Sequence, residues 1–319
     1  MVQVYEAREV EAALTYERLV PALRAAFAEA AVESPVRQAH DVGTSQAPGH
    51  LLAMPAWRRG AALGVKLVNI FPANADRGLG SVHGIYVLFD GATGVPQAII
   101  DAEALTNRRT AATSALASTF LSREDSSTLT VVGTGHLAFH LAQGHCAVRP
   151  IRRVLVWGRS LARAGDMAER LAALGLPAEP AADLSAAVGA ADIVTCGTTS
   201  TQALVLGRDV KPGTHVDLVG AFTPAMRESD DDLIAMGTVY VDTYGGALAE
   251  AGDLLLPAAA GRWSTDRVAG DLHELCAGLK AGRSDAAPIT LFKSVGAALE
   301  DLVAAELVAA EGTPASPAP

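Results

Sequence analysis

The sequence predicts an α/β protein in which a Rossmann-type, doubly wound parallel sheet accompanies an α+β domain. Three observations predict it. From about residue 126, apolar strand-like segments alternate with helical ones, the rhythm of βαβ units and a parallel sheet. A glycine-rich turn, Gly133-Thr134-Gly135-His136-Leu137-Ala138, lies between one such strand and the helix that follows. Between residues 50 and 100 the chain is instead a succession of strand-like runs broken by Pro, Asn, Asp and Gly, with no helical period.

The elements follow in order. Residues 2–5 (VQVY) predict a short strand. Tyr16, Leu19, Leu23 and Phe27 share one face at helical spacing, which predicts an amphipathic helix over 16–31. The runs HLLAMPAW, ALGVKLVNIF, VHGIYVLFD and PQAIID predict strands, the last two forming a hairpin through Asp90-Gly91 and Gly94. Residues 106–122, rich in small side chains, predict a helix. The alternating part then reads as TLTVV and a helix to about 147, RVLVW and a helix to 174, then ADIVTC, THVDLV and TVYVD. A last helix is predicted over 294–311, with Ser294 a good N-cap, and 312–319 (GTPASPAP) reads as a disordered tail.

Composition excludes several classes. Of 319 residues, 50% are hydrophobic, enough for buried cores. With 25 Lys and Arg against 35 Asp and Glu, the formal charge of −10 argues against nucleic acid as a partner. No uninterrupted apolar run reaches the roughly 18 residues of a membrane span. The N-terminal stretch carries acids where a signal peptide would carry a basic region, so the expectation is a cytoplasmic protein without a membrane association. Cys146, Cys196 and Cys276 have neither disulfide-framework nor zinc spacing, and no His, Cys and acid cluster predicts a metal.

The glycine-rich turn carries a mechanism. Gly133 permits a tight turn, Gly135 lets backbone approach a pyrophosphate, and Ala138 is small enough for helix and strand to pack closely. The helix N-terminus offers unpaired N–H groups and a positive dipole end to phosphate. This predicts a dinucleotide site. At the end of the next strand stand Arg159 and Ser160, where an NAD-specific site would carry an acid for the ribose 2′-hydroxyl. A guanidinium pairs with a 2′-phosphate, so NADPH is the expected cofactor, with NADH tolerated. Thr195-Cys196-Gly197-Thr198-Thr199, Val219-Gly220-Ala221 and Thr243-Tyr244 fall at other predicted strand carboxyl ends, where such sheets bind ligands.

The runs LGVKLVNIFPAN (63–74), LFDGATGVPQAIIDAEALTNRRTAATSALA (88–117), GTGHLA (133–138) and LFKSVGAALEDL (291–302) together resemble the ornithine cyclodeaminase/mu-crystallin family. The resemblance implies a homodimer whose Rossmann domain, 114–289, is inserted in a substrate-binding and dimerisation domain made of 1–113 and 290–319. It implies a chemistry on the Cα–N bond of amino acids or cyclic imines. Lys66 matches the family's substrate lysine, Arg109 its carboxylate-binding arginine, and Arg37 a second one. An Arg fork suits a planar carboxylate, and Lys66 lies between Val65 and Leu67 in an apolar run where an unpaired cation would be costly. Cofactor contacts are expected from Thr110, Gly133, Gly135, His136, Leu137, Ala138, Arg159, Ser160, Thr195, Gly197, Thr198, Val219, Gly220 and Ser294.

Two departures narrow the reaction. Cyclodeaminases of the family carry an acid where this chain has Ala53, and a catalytic Asp where it has Phe222. Without that Asp, deamination of a saturated ornithine lacks its general base. The segment VDLVGAFTPAMRESDDD (216–232) looks instead like the branch that reduces Δ1-pyrroline-2-carboxylate and Δ1-piperideine-2-carboxylate, with Phe222 as an apolar wall. The expected substrate is therefore a small cyclic imino acid. An amino-acid dehydrogenase or opine-type synthase, and a non-catalytic NADPH-binding protein, are the competing readings.

Overall fold

The computed structural model describes residues 2–312. The tail expected over 312–319 falls, from 313 on, outside the described residues. The chain divides into two units, one comprising residues up to Arg109 together with those from Ala297 on, the other Thr110–Gly296.

The first unit is built on β1 (Gln3–Tyr5), α1 (Ala7–Ala13), α2 (Tyr16–Glu29), β2 (Gln38–Asp41), β3 (His50–Arg58), β4 (Ala62–Ile70), β5 (Val82–Asp90) and β6 (Pro96–Asp101). The start of α3 (Ala102–Leu121) and the chain's last helix, α11 (Ala298–Gly312), complete it. Its six strands run in the order β1-β6-β5-β4-β3-β2, antiparallel except for β1 against β6. Alternation holds through the middle of the sheet. Met54, Ala56, Ala62, Lys66, Tyr86, Leu88, Ala98 and Ile100 are buried on one face, and α11 packs over β3, β4 and β5. The other face carries Trp57, Val65, Leu67, Val87 and Phe89, all only half-buried. In α2, Leu19, Leu23 and Phe27 are fully buried and the helix packs on α11. Truncating Phe27 to Ala would cost about 3–5 kcal/mol.

The β5–β6 hairpin forms as its sequence requires. Gly94 adopts φ +72°, its N–H donates to the Asp90 carbonyl at 2.8 Å, and the Asp90 carboxylate accepts from the N–H groups of Ala92 and Thr93.

The second unit holds β7 (Thr128–Val132), α4 (His136–Val148), β8 (Arg153–Trp157), α5 (Leu161–Ala172), β9 (Ala178–Pro180), α6 (Leu184–Ala190) and β10 (Ile193–Cys196). It continues through β11 (His215–Leu218), α7 (Asp231–Met236), β12 (Thr238–Val241), α8 (Tyr244–Glu250), α9 (Gly252–Ala259), β13 (Val268–Asp271), α10 (Leu272–Cys276) and β14 (Thr290–Lys293). Its sheet is parallel throughout, in the order β13-β12-β14-β11-β10-β7-β8-β9. Leu129, Val131, Val154, Val156 and Ile193 pack with α4 and α5 on one face. Val132, Val194, Val216 and Leu218 pack on the other with residues of α6, α7 and α9. Helices on both faces make the sheet doubly wound. The chain runs outward from β7 to β9, then returns to β10 on the other side of β7. That reversal opens the crevice at the strand carboxyl ends where such sheets bind ligands.

The last helix differs from its predicted start. It begins at Ala298, and Ser294 is buried four residues earlier, not an N-cap. Gly296 adopts φ +84°, and the N–H groups of Val295 and Gly296 both donate to Asp242 Oδ2 at 2.7 Å. This carboxylate at the end of β12 holds the stretch after β14 out of helical geometry.

Candidate active site

Lys66 sits mid-strand in β4, flanked by Met54 of β3 and Tyr86 of β5. It is therefore no edge lysine. It is 2% exposed, and its Nζ lies 2.9 Å from Oδ1 and 2.8 Å from Oδ2 of Asp301 in α11. The Thr106 hydroxyl is 3.3 Å away. Arg109, near the middle of α3 and 4% exposed, shares that carboxylate: its Nε is 2.9 Å from Asp301 Oδ1 and its Nη1 donates to Glu300 Oε2 at 2.6 Å. Ala297 N–H also donates to Glu300, at 3.2 Å. Burial and the positive charges of Arg109 and Arg37 pull the Lys66 amine down to about 8, while Asp301 opposes them. Arg37, half-buried just before β2, thus lies near enough to act on Lys66. Three of the four residues expected at the substrate therefore gather in one unit. Glu300 and Asp301 were not anticipated. The signal for them is two adjacent acids, fully or almost fully buried, inside the apolar run Ala298–Val303.

Tyr86 is also fully buried, and its hydroxyl has no hydrogen-bond partner among the described residues. Burial and the nearby charges of Asp301 and Glu306 hold it well above its ordinary range, so it stays protonated. A Cβ on Gly64 would come within 2.1 Å of that oxygen, which is why position 64 carries glycine.

In the second unit the glycine-rich turn has the geometry its sequence implies. Gly133 adopts φ +126°, and a Cβ there would lie 2.9 Å from the Gly197 carbonyl, so only glycine fits. Its N–H donates to the Trp157 carbonyl at 2.9 Å. Gly135 caps α4 without a side-chain hydrogen bond, and a Cβ there would meet nothing within 4 Å. Gly135 and His136 are exposed, with Leu137 half-buried. The open, uncapped helix N-terminus has the room and the donors that a pyrophosphate needs. Ala138 is fully buried, and a Cβ on Gly197 would lie 3.4 Å from its Cα. Arg159 is exposed at the end of β8, and Ser160 caps α5 by accepting from Arg163 N–H.

Several expected contacts are spent inside the protein. Thr195 is fully buried and donates its hydroxyl to Asp217 at 2.6 Å, leaving it no hydrogen for a ligand. Asp217 also takes the Ser114 hydroxyl at 3.0 Å and faces His145 Nε2 at 3.1 Å. Thr198 gives both its N–H and its hydroxyl to Glu228, and Gly220 gives its N–H to the same carboxylate. Thr110, Val219 and Ser294 are buried. Phe222 is half-buried against the core of its unit. Ala53 pairs with Leu67, so Met54 and not Ala53 lies opposite Lys66. Cys196 is fully buried, and burial and surrounding carboxylates push its thiol well up, so it is no nucleophile. Among the described residues no group of three His, Cys, Asp or Glu side chains could hold a metal, and no helix is long and apolar enough to cross a membrane.

The chain is similar to several known proteins. A Δ1-pyrroline-2-carboxylate reductase of Paracoccus denitrificans is 40% identical over 276 residues, covering 86% of this chain and 87% of its own. The structure of the Thermococcus litoralis Δ1-pyrroline-2-carboxylate reductase in complex with NADH and L-proline superposes with a TM-score of 0.92 at 30% identity, over 97% of each chain. An archaeal alanine dehydrogenase, a dimer with bound NAD, superposes at 0.89 with 27% identity, over 97% of this chain and 95% of its own. The family described as ornithine cyclodeaminase/mu-crystallin matches residues 2–313, and the chain belongs to it.

Proposed function

We propose that the protein reduces Δ1-pyrroline-2-carboxylate to L-proline, and its six-membered homologue to L-pipecolate, with a nicotinamide dinucleotide. The observation that carries this reading is the buried charge set of the first unit. Lys66 and Arg109, both buried, share the Asp301 carboxylate, and Arg37 lies near enough to act on Lys66. Such a group of cations attracts the carboxylate of a small monoanionic substrate. Burial strengthens that attraction, because little water remains to screen it.

The chain's own residues then divide the work. Arg109, with Arg37, holds the α-carboxylate and so fixes the position of C2. Lys66, a buried amine brought down to about 8, keeps a proton at neutral pH and presents it to the imine nitrogen. Asp301 orients that amine by holding it through both oxygens. The turn Gly133–Leu137 would hold the pyrophosphate and Arg159 the 2′-phosphate, which favours NADPH over NADH. The dinucleotide, when bound, supplies the hydride that adds to C2 as the nitrogen takes its proton.

Phe222 and Ala53 stand where cyclodeaminases carry acids, which weighs against ornithine as substrate. The half-buried apolar face around Trp57, Val65, Leu67, Val87 and Phe89 suits a second copy of the chain, in keeping with a homodimer. Substrate profiling tests the reading. Rapid oxidation of NADPH with the cyclic imine, without added amine, is expected; turnover that requires an open-chain keto acid plus ammonia or an amine would replace it with a dehydrogenase or opine-type synthase.

A further inference from the structure

We propose that Glu228 is a positioning residue of the cofactor crevice: its carboxylate fastens the loop leaving β10 to the loop leaving β11. The inference rests on the dinucleotide reading above and assigns a role to a buried residue that the resemblance names as neither a substrate nor a cofactor contact.

The geometry is specific. Glu228 is fully buried. Its Oε1 accepts the Thr198 N–H at 2.6 Å and the Thr198 hydroxyl at 2.7 Å, and its Oε2 accepts the Gly220 N–H at 2.8 Å. Its own N–H donates to Asp253 Oδ1 at 2.8 Å, and its carbonyl accepts from the N–H groups of Leu204 and Val205, each at 2.9 Å. Every polar atom of the residue is therefore engaged, and the bonds reach Thr198, Gly220, Asp253 and the Leu204-Val205 stretch. The two loops touch backbone to backbone, since a Cβ on Gly220 would lie 2.0 Å from the Thr198 carbonyl oxygen. Contact continues from Gly197 to the first turn of α4 and to Gly133. Fixing Thr198 and Gly220 thus fixes one wall of the crevice whose other wall is the glycine-rich turn. Phe222 follows two residues after Gly220 in the same fastened loop.

Two charges face this carboxylate, Asp253 from α9 and Lys293 from β14, themselves 3.2 Å apart, and the Cys196 thiol of β10 beside it is pushed up and stays protonated. Burial and Asp253 push Glu228 up, and Lys293 pulls it down, leaving it at about 7. Protonation turns one acceptor oxygen into a donor, and a donor cannot hold the N–H it faces. The crevice wall should therefore loosen as pH falls below about 7.

Glu228→Gln tests this, because the amide keeps the shape but sets an NH2 against the N–H of either Thr198 or Gly220. Direct binding of NADH and NADPH is measured by quenching of protein fluorescence, from pH 6 to pH 8.5 in wild type and variant. The wild type should weaken about fivefold by pH 6, and Glu228→Gln should be about tenfold weaker throughout, with no inflection. Asp192→Asn is the matched control. Asp192 precedes β10 at the opposite edge, and accepts from Ser127 N–H at 2.9 Å, Thr128 N–H at 3.1 Å and Arg123 Nη2 at 2.8 Å. Its loss should lower the melting temperature and leave cofactor binding alone. Glu228→Gln that melts early but binds cofactor with the wild-type affinity and pH profile, as the control does, would overturn the inference. Should that variant not fold, Thr198→Val removes only one of the bonds, and unchanged binding in it with a flat wild-type pH profile overturns the inference equally. A wild-type chain that binds neither dinucleotide sinks the proposed function itself, which is a separate outcome.

Discussion

Replacing Asp301 by Asn removes one charge and almost no volume, and its effect follows from the cluster it serves. In the wild type its oxygens stand 2.8 and 2.9 Å from the Lys66 amine, with Arg109 Nε also at 2.9 Å. At such distances, in an effective dielectric of about 20, the gross attraction to Lys66 is about 6 kcal/mol. Once it is lost, the amine can stay charged or give up its proton. With its pKa at about 8, releasing the proton at pH 7 costs about 1.4 kcal/mol, far less than the lost attraction. The amine therefore neutralises. Adding the ion pair lost to Arg109 Nε, whose Nη1 keeps Glu300, the variant should be less stable by about 2–3 kcal/mol at pH 7. That is below the roughly 3–5 kcal/mol expected when a buried charge is stranded. At pH 9 the wild-type amine is itself mostly neutral, so the loss should shrink to about 1 kcal/mol. The same linkage fixes the sign for the wild type. Folding lowers the Lys66 pKa from 10.5 to about 8, so the unfolded chain holds the extra proton between those values and stability climbs with pH across them. Asp301→Asn extends that climb below pH 8. Urea unfolding at pH 7 and pH 9 reads all of this. An equal loss at both pH values, or none at pH 7, would refute the charged Lys66–Asp301 pair.

Four further outcomes are expected. Gly133→Ala forces a side chain into φ +126° and against the Gly197 carbonyl, costing about 1–3 kcal/mol. Gly135→Ala meets only open space and should change stability by less than about 0.5 kcal/mol, while weakening dinucleotide binding at least about tenfold; thermal melts and cofactor titrations separate the two. His215 is fully buried, its Nδ1 3.0 Å from the Thr290 hydroxyl, and burial pulls it from 6.5 to about 3. The unfolded chain takes up this proton first, so stability falls as pH drops below 6.5, by about 2 kcal/mol at pH 5, and His215→Gln should lack that part of the acid limb. Arg159→Ser should cut the preference for NADPH over NADH about tenfold in kcat/KM, with activity on NADH kept.

Local patterns made much of this protein legible in its sequence. Period-two alternation in β3 to β6, the GxGxxA turn and the strand–helix rhythm after residue 126 each encode a structure within a few residues of themselves. What was not legible depends on partners far along the chain. Asp301 lies 235 residues from Lys66, and nothing at either position announces the other. Glu228 reads as one acid in a charged loop until Thr198, Gly220 and Asp253 close around it. The start of α11 is not legible at Ser294, because the distant Asp242 holds Val295 and Gly296 in place of a helical turn. The strands β2, β9 and β13 are too short to show a period. β2 is exposed along its whole length, and β9 is three residues long. Thr198 and Thr195 show the converse: a threonine at a strand end suits a cofactor, yet long-range acids claim both hydroxyls.

The central claim is tested most directly by mixing the purified protein with NADPH and Δ1-pyrroline-2-carboxylate, following the nicotinamide absorbance, and identifying the product by chiral chromatography. Rapid NADPH oxidation with stoichiometric L-proline, lost by orders of magnitude in Lys66→Ala and Arg109→Ala chains that still fold, is the predicted result. No oxidation of NADPH or NADH with the cyclic imine, or release of ammonia from ornithine in its place, would contradict it.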